Sequence, residues 1–189
     1  MLPARTSLLL LTALACAAPL RAQDAPAKRK LYSPPSRVFS CEIPSGWQAF
    51  EEEDALGPVA HMLGPDNPAG TYRTGLSVRW IERDQPDYVA PQQAVDAMRR
   101  SDPASRRSAT AVIHMRVAGL LARVFEVVET DVLPLERLPA SPEEIHYYVA
   151  VIPSGLNYYL VRLSSTRDVY LDFHDVFTDC LKTFQPLGR

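Results

Sequence analysis

The chain has 189 residues, 47% of them hydrophobic, and a formal charge of −2. That suits a single domain with a true core, preceded or not by a leader. Removing residues 1–22 would delete Arg5 and Arg21 and no acid, leaving 18 basic against 22 acidic residues, or −4. Such a balance gives neither nucleic acid nor an anionic membrane an electrostatic footing as partner.

The first 22 residues read as an export leader. Arg5 supplies the positive start, Ser7 to Ala18 is apolar, and Leu20-Arg21-Ala22 precedes Gln23 as a small-residue cleavage site. The apolar run falls short of the roughly 20 residues a bilayer crossing needs. The expected location is therefore periplasmic or secreted. Ala13-Leu14-Ala15-Cys16 keeps an alternative open, a membrane-anchored lipoprotein with its lipid on Cys16, although no Leu stands three residues before the cysteine. Residues 23–36, rich in Pro, Ala and Lys, read as a flexible tether with an extended Pro34-Pro35.

From Arg37 the pattern becomes periodic. Phe39, Cys41 and Ile43 alternate with Ser40 and Glu42, which predicts a strand over 37–43 with one buried face. Pro44-Ser45-Gly46 ends it, and Trp47 follows as an apolar anchor. Gln48 to Leu56, carrying Glu51-Glu52-Glu53-Asp54, reads as an exposed loop or a short helical turn. Pro58 to Leu63 and Thr74 to Glu82 are strands, the latter with Leu76, Val78 and Trp80 on one face. Pro91 opens a helix whose apolar side is Ala94, Val95 and Met98 and which ends near Ser101-Asp102-Pro103. Ala109 to Ala118 and Leu121 to Val132 form a hairpin at Gly119. After a proline-rich loop, Glu144 to Ile152 and Leu156 to Ser165 form a second one. Tyr147 to Ile152 is apolar on both faces, as in a sheet covered on both sides. Asp168 to Phe184 is a helix with Val169, Phe173, Val176, Phe177, Cys180, Leu181 and Phe184 as its apolar stripe. The fold class is α+β, a single antiparallel sheet with helices on both faces, over 37–189.

Ile43-Pro44-Ser45-Gly46-Trp47 at the end of the first strand, the Gly119 hairpin, the paired late strands and a closing helix ending in Phe184 resemble the PsbP-like α/β/α sandwich. The resemblance covers about residues 37–186. It implies a binding or assembly module, and it transfers a fold without residue roles.

Chemistry-bearing residues are sparse. Cys41 lies on the buried face of the first strand and Cys180 on the stripe of the last helix, so both sulfurs would face one interface if that helix covers that strand. The pair is a candidate disulfide; two buried free thiols are the alternative. His61, His114, His146 and His174 fit no metal-ligand spacing, and a hydrogen-bonded or surface role is the ordinary explanation. Asp168, Asp172, Asp175 and Asp179 share one helical face, solvated first and open to calcium or a basic partner second. Arg99-Arg100 and Arg106-Arg107 cluster near the end of the first helix, where they suit its dipole. No catalytic residue, metal site or cofactor is expected. The leading functional reading is an exported, non-catalytic binding or assembly module of the cell envelope that recognises a protein partner, with contact to a membrane only through Cys16. A small-molecule or metal-binding periplasmic module is the alternative, its pocket lined by Tyr147, Tyr158, Trp80 and a histidine. A hydrolase with a non-obvious site comes third.

Overall fold

The computed structural model describes residues 28–54, 56–134 and 139–187. The leader 1–22, Cys16 and the start of the tether lie outside the described residues. In chain order the strands are β1 (Arg29–Tyr32), β2 (Phe39–Pro44), β3 (Gln48–Asp54), β4 (Gly57–Asp66) and β5 (Arg73–Ile81). Helix α1 (Pro91–Arg99) follows, then β6 (Ser108–Ala109), β7 (Ile113–Val117), β8 (Leu120–Leu133), β9 (Ser141–Ser154) and β10 (Asn157–Thr166). A 3-10 turn at Tyr170–Phe173 leads into α2 (His174–Thr183), and β11 (Gln185–Pro186) closes the chain. No helix among the described residues is long and apolar enough to cross a membrane.

Among the described residues there are two antiparallel sheets where the sequence suggests one. The larger has eight strands in the order β3-β4-β5-β10-β9-β8-β6, with β7 also paired to β8; the smaller has three, β1-β2-β11. The reason is local to β2. Its alternating side chains bury Phe39, Cys41 and Ile43 to 1% exposure or less, while its two backbone edges are taken by β1 and β11. With no edge left for the larger sheet, β2 contributes to the core through its apolar face instead. The small sheet and α2 therefore cover one side of the large sheet together.

Two cores result. The larger joins Phe39, Cys41, Ile43 and Trp47 to Met62, Leu76, Trp80, Tyr159 and Leu163 of the large sheet, and to Phe177, Cys180, Leu181 and Phe184 near the C-terminus. Tyr159 is its centre. The hydroxyl donates to the Val38 carbonyl at 2.8 Å, and the ring lies 4.2 Å from Trp80 and edge-on to Phe184. The smaller core sits across the sheet, where Val95 of α1 packs with Phe125, Val127, Val149, Val151 and Tyr158. Successive β9 residues thus enter different cores, which explains a strand apolar on both faces.

Three local expectations need correction. The tether over 23–36 is not free throughout: Arg29–Tyr32 is strand, in register from Arg29 opposite Pro44 to Tyr32 opposite Cys41. The Ser45 N–H donates to the Lys28 carbonyl at 2.7 Å, which fixes the entry of that strand. Glu51 to Asp54 lies in an edge strand, not a loop, and acids suit an edge because they discourage further pairing. The last helix starts at His174, so the four aspartates do not form one helical stripe. Asp168 accepts from the Thr166 hydroxyl before the 3-10 turn, and Asp179 pairs with Arg29 and Lys182.

Trp47 reaches the core across Gly64. A β-carbon built on Gly64 would lie 2.7 Å from the indole ring, below any real contact. Gly64→Ala is therefore expected to destabilise the fold by about 1–3 kcal/mol through overpacking. Urea unfolding followed by tryptophan fluorescence would measure it, and an unchanged midpoint would contradict this packing.

Candidate functional site

The β7–β8 hairpin turns through Ala118 and Gly119, both at positive φ (48° and 81°), the geometry of a tight twisted hairpin. Alternation then divides β7. Ile113, Met115 and Val117 stand opposite Val124, Ala122 and Leu120 on the side facing α2, while His114 and Arg116 stand opposite Arg123 and Leu121 on the other. Between β7–β8 and α2 runs a groove of about 180 Å³, lined by Ile113, Met115, Val124, Tyr148, Phe177 and Leu181. Glu126, His174, Thr110 and Thr178 add polar groups to its wall.

Tyr148 forms the groove's buried wall. Its ring stacks on Phe177 at 5.6 Å and meets His174 edge-on at 5.4 Å. Burial, with the nearby Glu126 charge second, pushes its hydroxyl up to about 12, so it stays a neutral donor at physiological pH. Ile113, at the mouth, is 67% exposed beside this apolar cleft.

The other polar sites are separate. His146 stacks on Tyr170 at 3.9 Å with its Nε2 3.0 Å from Glu144, whose other oxygen faces Arg167. His61 lies against Phe50 and 3.0 Å from the Glu52 carboxylate, far along the sheet. His174 lies 3.4 Å from Asp175, and His114 stands exposed on β7. No group of three or more His, Cys, Asp or Glu among the described residues is arranged to hold a metal. The pocket expected from Trp80, Tyr147 and Tyr158 does not form. Trp80 belongs to the larger core, whereas Tyr158 and Tyr147 pack on the opposite side of the sheet. Tyr147 instead lines a pocket of about 90 Å³ with Arg107, Glu129 and Arg162; Arg162 lies over its ring at 4.8 Å, and Arg107 is spent on Glu129 at 2.6 Å. Of the other expected basic residues, Arg99 donates to the Thr110 carbonyl. Arg106 lines an open, mixed-charge depression with Glu143, Glu144, Arg167 and Asp168.

The structure does unite one expected pair. Cys41 and Cys180 are free thiols, both fully buried and members of the same core cluster. Contact with Cys41, and then burial, push the Cys180 thiol well above its usual range, so it is a poor nucleophile as it stands.

The groove was not singled out from sequence. The available signal was Ile113 and Met115 alternating just before a Gly119 hairpin, in a strand short enough to end a sheet.

Comparison with known proteins gives fold and little more. No protein-family model matches the chain, and no curated protein matches it. Among solved structures it is similar to a Pseudomonas aeruginosa protein of unknown function, with 11% identity, a TM-score of 0.52, and 84% of this chain and 96% of that one covered. It is also similar to cyanobacterial PsbP (CyanoP) from Synechocystis, with 14% identity, a TM-score of 0.50, and 87% and 95% covered. A Bacteroides thetaiotaomicron protein has 10% identity and a TM-score of 0.50, with 83% of this chain and 48% of that one covered.

Proposed function

Starting from the PsbP-like fold that this chain shares with CyanoP, we propose that it is an exported, non-catalytic module that recognises a protein partner in the cell envelope through the groove between α2 and the β7–β8 hairpin. The groove is the observation that carries this reading. At about 180 Å³ it is smaller than the 300 Å³ or more of typical small-molecule pockets, and it suits one or two protruding apolar side chains. Exposed Ile113 at its mouth offers apolar surface to a partner. The leader pattern supports export.

Photocrosslinking in cells tests it. A photoreactive residue at Ile113 should capture one reproducible envelope protein, identified by mass spectrometry, while one at Glu52 on the opposite edge should not. A protein that remains free at native concentration from both positions would end the reading.

A further inference from the structure

Building on that binding reading, we propose that β7 is a docking edge which takes an extended partner segment of alternating apolar and acidic residues as an added strand. Three observations meet there. Among the described residues β7 pairs only with β8, so its outer edge is open. In a tight hairpin the residues flanking the turn exchange both ladder bonds, and bonded pairs then alternate. Val117, Met115 and Ile113 therefore bond to β8, and the N–H and C=O groups of His114 and Arg116 point outward. This is the main-chain template of strand addition.

Side-chain chemistry on the two faces then selects the occupant. Partner residues opposite Ile113 and Met115 would project over the α2 groove, which is apolar at Met115, Phe177 and Leu181. The intervening residues would project beside His114, Arg116 and Arg123. None of these three forms an ion pair among the described residues; Arg116 has only the Gly119 carbonyl, at 3.1 Å. Charge complementarity therefore calls for Asp or Glu at those places. The other end of the large sheet makes the contrast. The edge strand β3 carries Glu51, Glu52, Glu53 and Asp54, with Asp54 engaged by Arg79 and Glu51 by the Ser36 N–H. That edge is guarded against pairing, and β7 is not.

The test uses two capped peptides, one alternating valine with glutamate and one alternating valine with lysine, titrated against the mature protein by fluorescence anisotropy. The glutamate peptide should bind at least about tenfold more tightly, with a preference that shrinks as salt rises. His114→Pro removes one outward N–H and no bond to β8, a substitution an edge strand accepts, and should abolish binding while the thermal melt stays in place. Should His114→Pro fail to fold, the Arg116→Glu/Arg123→Glu double variant provides a second readout, expected to invert the peptide preference. Equal affinity for both peptides, no binding up to about 1 mM, or binding indifferent to both variants would overturn the proposal. So would concentration-dependent self-association lost in His114→Pro, which would make a second copy the occupant. An envelope protein captured from another surface but not from Ile113 would overturn this docking mode and leave an envelope partner standing. No capture from any position would remove the binding reading itself.

Discussion

Mature protein purified without reductant from an oxidising compartment should weigh about 2 Da less than the reduced form and carry no thiol titratable after unfolding. The expected bond is Cys41–Cys180. Forming it removes two protons and two electrons from the pair, and a protein disulfide donor accepts them and becomes a dithiol. The two thiols lie buried in the same core at the junction of β2 and α2. The surrounding geometry is fixed independently: the Glu42 N–H donates to the Thr183 hydroxyl at 2.9 Å, and Arg29 pairs with Asp179. The link would close a loop of about 140 residues, for which chain entropy predicts about 4–5 kcal/mol of stabilisation, with strain able only to reduce it. Cys41→Ala/Cys180→Ala should accordingly melt well below the oxidised protein, by more than the reduced protein does, since it also loses packing at two fully buried sites. Intact mass with and without reductant decides the matter, and equal masses would leave two inert buried thiols.

Phe184→Ala should produce the second large loss, about 3–5 kcal/mol, or a melting temperature lower by on the order of 10 °C. Phe184 is fully buried. It stacks on Phe39 at 5.4 Å with planes 9° apart and meets the Tyr159 ring edge-on at 5.1 Å. Truncation would leave a cavity bounded by β2 and β10, both already held by their own backbone pairing, so collapse around it is limited. A loss below about 1 kcal/mol in chemical denaturation would show that the C-terminal segment contributes little to the core. The Leu187 N–H, which donates to the Val38 carbonyl at 2.8 Å, should then exchange as quickly as a frayed terminus.

How far such features can be read without coordinates depends on whether their cause is local. The alternation of Phe39, Cys41 and Ile43, the Pro91 helix start and the spacing of Phe177, Cys180, Leu181 and Phe184 are local signals; β2 and α1 stand within a few residues of their expected places, while the last helix begins six residues later than expected, at His174. The juxtaposition of Cys41 and Cys180 follows from combining two of them. β1 has no such signal: Arg-Lys-Leu-Tyr has no apolar period, and it is strand only because β2 offers an edge. β3 was hidden for a related reason, since four consecutive acids suit a loop and an edge strand equally well. Period-2 patterning tells the two faces of one strand apart, but it is blind to how strands register with one another. Trp80, Tyr147 and Tyr158 could thus be grouped from sequence although the sheet divides them. The β7 groove depends on which strand ends the sheet, a property of strand order that no single segment encodes.

The three-stranded sheet also bears on the order in which the chain can mature. β2 lies near the start of the domain, while its partner β11 and the helix over it are the final described elements. A chain emerging N-terminus first holds Phe39, Cys41 and Ile43 without their covering layer until almost every later residue has appeared. The long hairpins of β8, β9 and β10 have their partners close in sequence and can pair earlier. Closure of the small sheet therefore waits on the C-terminal segment, and until then an apolar strand and a thiol stand open to whatever chaperone or oxidant meets the emerging chain.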